Sequence, residues 1–200
     1  MPLTDRTRRL VLPLVAFFVG LAALGAAATL TLRPWAGSPG TPLAVGGPFT
    51  LTDADGRTVT ERDFRGRPYL VFFGFTHCPD ICPTKLFEIS DILKATGERG
   101  RDLRALFITV DPERDTPEVL RSYLGSFDPR IVGLTGSREA VDAAVRAFRA
   151  YAKRVPLKEG DYTMEHTSLV YLLDKQGRFV NAFNTSLAPR AAAEAWLGQS

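Results

Sequence analysis

The stretch Pro68-Tyr69-Leu70-Val71-Phe72-Phe73-Gly74-Phe75 is a continuous apolar run, and Cys78-Pro79-Asp80-Ile81-Cys82-Pro83 follows three residues later. An apolar run this short, closed by a turn, predicts a strand buried on both faces. Such a strand needs helices above and below its sheet. Pro83 suits the first position of a helix, Gly97 can close that helix, and Leu86, Ile89, Ile92 and Leu93 lie along one side of it. Two cysteines therefore sit between a buried strand and a helix N-terminus.

The rest of the sequence extends this pattern. Phe49–Leu51 and Thr58–Thr60 flank Asp53-Ala54-Asp55-Gly56, a hairpin signal with Asp-Gly at the turn. Asp53 and Asp55 lack the later bidentate glutamate of a calcium loop, which leaves a plain turn. Leu103–Val110 reads as a second buried strand, Pro117 as the start of a short helix and Ile131–Leu134 as a third strand. Ser137 caps a helix over 137–150. Ser168–Leu173 and Arg178–Phe183 flank Asp174-Lys175-Gln176-Gly177 as a second hairpin, and an alanine-rich helix over Pro189–Leu197 ends the chain. Strands alternating with helices, closed by a hairpin, define an α/β domain with a mixed sheet. The composition of Lys153–Asp161 predicts a mobile loop near His166. No glycine-rich phosphate loop supports nucleotide chemistry.

Between Arg9 and Arg33 lie 23 uncharged residues, Leu10 to Leu32. At about 1.5 Å per helical residue they span a hydrocarbon core of about 30 Å. Ala26-Ala27-Ala28 offers a signal-peptidase site, but the apolar segment exceeds the usual 7–15 residues of a signal peptide and favours a retained anchor. Three arginines before the run and one after it place the N-terminus in the cytoplasm. The organisation expected is a cytoplasmic N-terminus (1–9), a transmembrane anchor (10–32), a linker (33–47) and a domain (48–200) on the non-cytoplasmic, periplasmic side. That compartment is oxidising and permits cysteine pairs. Four arginines against Asp5 in residues 1–33 carry the whole net charge of +3, so the remainder is balanced and has no nucleic-acid footprint. The tethering linker argues for a monomer.

Two cysteines exclude a disulfide framework and a four-cysteine zinc site. Four residues apart, Cys78 and Cys82 can approach within one helical turn. A helix N-terminus lowers a thiol pKa and favours thiolate, which serves disulfide exchange and soft-metal binding equally. A disulfide closing so small a loop would stabilise little, and Pro79, Asp80 and Pro83 mark a turn rather than a core. Of the two histidines, His77 adjoins Cys78 and should point away from its metal. His166 opens the segment before Ser168, and a hairpin near the C-terminus can return to the cysteine edge of the sheet. Two thiolates alone hold Cu(I), and one imidazole makes the set suited to Cu(II). Sequence geometry leaves His166 open as a ligand.

Phe73-Gly74-Phe75-Thr76-His77-Cys78-Pro79-Asp80-Ile81-Cys82-Pro83 closely resembles the signature of the Sco/SenC family. Val110-Asp111-Pro112-Glu113-Arg114-Asp115-Thr116-Pro117 resembles that family's second motif, and Glu165-His166-Thr167 falls where its metal histidine is expected. The resemblance covers about residues 45–198 and implies a thioredoxin-like fold behind a single N-terminal anchor. It further implies one copper ion per chain, Cu(I) or Cu(II), on Cys78, Cys82 and His166. The implied function is delivery to the binuclear copper site of a cytochrome c oxidase subunit, with a copper-loading or relay chaperone as a second partner. The implied mechanism is ligand exchange, gated because a Cys78–Cys82 disulfide cannot hold metal. Asp80 tunes the thiolates, meets the partner or simply forms the turn, and the turn is favoured. Asp111 and Asp115 face a basic partner surface or His166, unless Asp115 only caps the helix that starts at Thr116-Pro117.

The alternative to a metallochaperone is a thiol–disulfide oxidoreductase that reduces the oxidase subunit's cysteines before metallation. It uses the same two sulfurs and does not need His166. Thioredoxin-like oxidoreductases place two residues between their cysteines, and this chain places three. A peroxidase reading of Cys82-Pro83-Thr84 fails because Pro79 stands where the peroxiredoxin site has threonine. A copper or redox sensor remains a third possibility from sequence.

Overall fold

The computed structural model describes residues 18–21, 45–183 and 189–198. The chain divides into two compact units, Met1–Leu43 and Ala44–Ser200. In the first, residues 18–21 are helical, and the rest of the expected anchor lies outside the described residues. Among the described residues no helix is long and apolar enough to cross a membrane.

The second unit is an α/β domain. Its strands are β1 (Thr50–Asp53), β2 (Thr58–Thr60), β3 (Tyr69–Gly74), β4 (Arg104–Thr109) and β5 (Ile131–Thr135), then β6 (Ala152–Pro156), β7 (Tyr162–His166), β8 (Val170–Leu173) and β9 (Phe179–Phe183). Its helices are α1 (Ile81–Ala95), α2 (Pro117–Leu124), α3 (Arg138–Ala147) and α4 (Pro189–Leu197). Seven strands form one mixed sheet in the order β2-β1-β5-β4-β3-β8-β9. The central pairs β3–β4 and β4–β5 are parallel, and the outer pairs are antiparallel.

All six residues of β3 are buried, as its apolar run requires. On one face, Phe72 packs on Phe107 and Phe107 on Tyr123 of α2, while Gly74 approaches Cys82 of α1. On the other face, Phe73 packs edge-on against Phe148, just past α3, and against Tyr171. Trp196 of α4 joins Ile92 of α1 over Leu172. Both predicted hairpins turn by one device. Asp53 Oδ1 accepts from the Asp55 and Arg57 N–H groups, and Asp174 Oδ1 from those of Gln176 and Arg178. Gly56 and Gly177 supply the positive φ that each turn needs.

Three expectations are corrected. Helix α1 starts at Ile81, two residues before Pro83, so Cys82 lies inside the first turn rather than ahead of it. Lys153–Asp161 is not a loop. Residues 152–156 form β6, paired antiparallel with β7 as a separate two-stranded sheet, and a 3-10 turn over Lys158–Gly160 joins them. Charged side chains on β6 hid an edge strand that pairs on one side only. Finally, His166 closes β7 instead of opening the following strand.

Helix α3 ends with Arg149 at φ +51°, in the left-handed region, where the Arg149 and Ala150 N–H groups cap the carbonyls of Arg146 and Val145. A glycine there avoids the Cβ clash. Arg149→Gly should stabilise the domain by about 1 kcal/mol and raise its melting temperature by about 2–4 °C; an unchanged or lowered midpoint in thermal melting would contradict this account.

Candidate metal centre

The junction between β3 and α1 brings Cys78 and Cys82 together by local chain geometry. The Cys78 N–H donates to the Phe75 carbonyl, and the Thr84 N–H to that of Asp80, so the segment coils tightly. The Cys82 N–H then points at Cys78 Sγ, 3.5 Å away. Both cysteines are free; Cys78 is half-buried and Cys82 fully buried. The third group arrives from 84 residues further along: His166 Nε2 lies 3.5 Å from Cys82 Sγ. The donor atoms of Cys78, Cys82 and His166 all lie within 4.8 Å of one another. Bonds of about 2.3 Å to sulfur and about 2.0 Å to nitrogen set trigonal donors about 3.7–4.0 Å apart. The three groups thus need only small shifts to close on one soft ion.

The imidazole is held in the orientation that a ligand needs. Its Nδ1–H donates to the Thr167 carbonyl at 3.0 Å, which leaves Nε2 bare toward the sulfurs. Phe75 and Phe72 pack edge-on against the ring, with centroids 5.7 and 6.3 Å away. A cavity of about 310 Å³ opens beside the group, lined by Phe75, Cys78, Pro79, Ile81, Met164 and His166 among others. Ile81 is 49% exposed and forms an apolar rim.

Burial dominates the electrostatics. It pushes the Cys82 thiol well above its ordinary value, outweighing the hydrogen bond from the Phe75 backbone. The sequence expectation of a thiolate favoured by the helix terminus is therefore corrected for Cys82. Burial also lowers the His166 pKa, so the ring is a neutral base at pH 7. Without metal the centre is uncharged at these two positions, and an incoming ion must displace the Cys82 proton.

The other predicted residues fall elsewhere. Asp80 is exposed at the cap of α1 with no side-chain capping bond. Asp115 does not cap α2; Thr116 does, accepting from the Val119 N–H at 3.3 Å. Asp115 is fully buried and accepts from the Thr76 N–H and the Thr76 and Thr109 hydroxyls. Asp111 is fully buried too, bound by Arg114 and by the Tyr162 hydroxyl. Neither carboxylate reaches a partner surface or bonds to His166. His77 turns toward Thr76, its Nδ1 3.1 Å from the hydroxyl and outside the donor cluster, as its adjacency to Cys78 implied. Sequence reasoning missed Gly74: a Cβ there would lie 2.6 Å from the Phe107 ring and 3.0 Å from Cys82 Sγ.

A mixed-sheet domain whose strand–helix junction carries two thiols facing one imidazole is a thioredoxin-like domain with a soft-metal donor set. The profile of the family described as SCO1/SenC matches residues 38–197. The chain belongs to the SCO1/SenC family. It is 44% identical over 147 residues to the human mitochondrial SCO1 homolog, covering 72% of this chain and 48% of that protein. The chain thus spans about half the length of that relative. The structure of Bradyrhizobium japonicum ScoI with copper bound is 51% identical, with a TM-score of 0.76 over 78% of this chain and 100% of that one. That of yeast Sco1 with copper bound is 37% identical, with a TM-score of 0.70 over 76% and 86%.

Two outcomes follow from this geometry. Gly74→Ala should cost about 1–3 kcal/mol through overpacking and displace the Cys82 sulfur. Thermal melting together with peptide-resolved alkylation checks this, with Cys82 labelled faster than in the wild type. The second concerns pH. Because the folded His166 pKa is lowered, the unfolded chain takes the proton first as pH falls below about 6.5. The contribution of His166 to stability is therefore whole above that pH and is lost as pH falls through the folded value. Urea midpoints measured against pH should drop less steeply below 6.5 in metal-free His166→Phe than in the wild type.

Proposed function

We propose that the chain is a membrane-anchored copper chaperone that binds one copper ion through Cys78, Cys82 and His166. It delivers that ion to the binuclear copper site of cytochrome c oxidase. The family to which it belongs works in cytochrome c oxidase assembly. The observation that carries the reading is the convergence of two sulfurs and one bare imidazole nitrogen within 4.8 Å. Two thiols and one imidazole form a soft, asymmetric set that disfavours magnesium and calcium and suits copper. The uncharged run 10–32, with arginines at both ends, supports an anchor that holds the domain on the non-cytoplasmic side.

Loading Cu(I) replaces the two thiol protons by one metal ion, and the protons leave to solvent. Release runs through ligand exchange: an acceptor thiolate bonds to copper as Cys78 or Cys82 departs and takes up a proton. Cys78 is the more exposed sulfur and leaves first. Asp80 and the apolar rim at Ile81 lie on the face an acceptor meets. A copper-loading protein would approach the same face. Oxidation of the pair to a disulfide removes both sulfur donors together with two electrons, which closes the site to metal.

A second reading has its own support in the contrast between a half-buried Cys78 and a buried Cys82. A disulfide-bonded acceptor would be attacked by Cys78, forming a mixed disulfide. Cys82 would then displace the acceptor sulfur, leaving a reduced acceptor and a Cys78–Cys82 disulfide. The two activities are compatible, because reduction must precede metallation.

Anaerobic copper titration of the reduced full chain separates them. The wild type should take up one tightly bound copper per chain and show a sulfur-to-Cu(II) charge-transfer band. His166→Ala should lose the Cu(II) band while retaining disulfide exchange, and Cys78→Ser/Cys82→Ser should lose both. Absence of tight binding in the reduced wild type would sink the chaperone and leave the oxidoreductase.

A further inference from the structure

The strands β6 and β7 pair only with each other, so backbone hydrogen bonding to the seven-stranded sheet does not hold His166 in place. Side chains must do it. Along β7 the alternation of a strand puts Tyr162, Met164 and His166 on one side, with Thr163 and Glu165 on the other. Met164 is buried and Glu165 exposed, which identifies the Tyr162–Met164–His166 side as the one facing the domain.

At the far end of β7 the Tyr162 ring lies between two guanidinium groups. Arg114 Cζ is 3.7 Å from the ring centroid and Arg154 Cζ is 3.5 Å from it. Two groups that close cannot share one face, so they sandwich the ring. The Tyr162 hydroxyl donates to Asp111 Oδ1 at 2.9 Å, and Arg114 Nη1 donates back to the Tyr162 carbonyl at 3.1 Å. Each arginine is held in turn. Arg114 Nε donates to the buried Asp111 carboxylate, whose own N–H donates to the Thr109 hydroxyl at the end of β4. Arg154 donates to Glu113, which also accepts from Arg138 of α3, and Arg138 bonds the Val110 carbonyl. Asp111, Glu113 and Arg114 belong to the second family-like motif, in which Asp111 was expected at a partner surface or at His166. They grip the hairpin instead.

We propose that Tyr162, clamped by Arg114 and Arg154 and tied to Asp111, is the positioning residue that sets His166 against the cysteine pair. This rests on the copper reading above for its functional consequence. At the base of the hairpin the Thr167 N–H donates to the Tyr151 carbonyl and the Tyr151 N–H to the Thr167 hydroxyl, which joins the two strands to each other. The chain there runs on from the buried Phe148 and into the buried strand β8, and that holds this end to the domain. With both ends held, the imidazole at the last position of β7 keeps its place against Phe72 and Phe75. With the Tyr162 end released, β7 keeps only the buried Met164 and its base to hold it. The four residue steps from Tyr162 to His166 span about 13 Å, so the clamp acts at a distance and touches no metal donor.

The test uses the full chain with Tyr162→Ala and Tyr162→Phe, each read in two ways. In the metal-free protein, hydrogen exchange of the 152–155 and 162–166 amides should speed up at least tenfold in Tyr162→Ala, while β3 and β4 keep wild-type protection. With metal, Cu(II) affinity should fall by about 10- to 100-fold, the range seen when the support of a ligand is removed, and the sulfur-to-Cu(II) band should weaken. Cu(I), held by the two thiolates, should be affected much less. Tyr162→Phe keeps the sandwich but loses the bond to Asp111, and should fall between the wild type and Tyr162→Ala on both readouts. Unchanged hairpin exchange and Cu(II) affinity in Tyr162→Ala would overturn the proposal. So would faster exchange spread evenly over the whole sheet, or a Tyr162→Phe protein that behaves like Tyr162→Ala. If the wild type takes up no copper, the chaperone reading falls, and the exchange contrast still decides whether Tyr162 holds the hairpin.

Discussion

The carboxyl group of Asp115 is fully buried and accepts three hydrogen bonds, from the Thr76 N–H, the Thr76 hydroxyl and the Thr109 hydroxyl. Thr109 ends β4, while Thr76 starts the turn that leads from β3 to Cys78. One side chain therefore fixes the turn to the neighbouring parallel strand. Burial raises the pKa of this carboxyl, and the three bonds oppose the rise. An unpartnered carboxyl at this depth would be strongly destabilising, so the turn has little freedom to move away. The position of Cys78, two residues beyond Thr76, inherits that constraint, and Cys82 follows through the first turn of α1. Against Cys82 there is no slack either, because Gly74 and Phe107 fill the space behind its sulfur.

The motif that supplies Asp115 also supplies the hold on the hairpin. Asp111 and Asp115 sit four residues apart in the turn after β4, and the Asp115 N–H donates to the Asp111 carbonyl. From that turn one carboxylate reaches back to Thr76 beside the cysteines, and the other reaches out to Tyr162 on β7. Two buried carboxylates thus locate both halves of a donor set to which neither belongs. Their burial is compensated by hydrogen bonds at Asp115 and by Arg114 at Asp111.

Much of this was legible in the sequence, and the parts that were not share a cause. The β3 run, the apolar side of α1, the Ser137 cap and both Asp-x-x-Gly turns depend on local rules, and the structure has them within a residue or two. The cysteine pair was legible because its spacing and its junction are local as well. The β6–β7 hairpin escaped because Ala152–Pro156 carries Lys153 and Arg154 on an edge strand, where charge is tolerated and resembles loop composition. The alternation of Tyr162, Met164 and His166 was the available signal, and it is short. The roles of Asp111 and Asp115 depend on contacts 51 and 39 residues away, respectively. No local pattern separates a buried acceptor from a helix cap. The Cys82 pKa failed for a related reason: the helix terminus is visible in sequence, but the packing that buries the thiol is not.

On the proposed function, division of the donors between two supports bears directly on transfer. The sulfurs sit on the rigid strand–helix junction, whereas the imidazole sits on a hairpin joined to the body by side chains. Cu(I) is content with two thiolates, so its retention depends mainly on the junction. Cu(II) needs the third donor, so its retention depends on the hairpin as well. Loosening of the hairpin when an acceptor docks would weaken the two forms unequally, stripping the imidazole from copper while both sulfurs still hold it. The buried, neutral state of His166 favours this order, because burial lowers its pKa and a free imidazole here adds no charge to the site at pH 7. Departure of a sulfur, by contrast, needs either a proton or an incoming thiolate. The imidazole is therefore the donor that can leave and return without coupling to protons, and the cysteines are the donors whose exchange commits the metal.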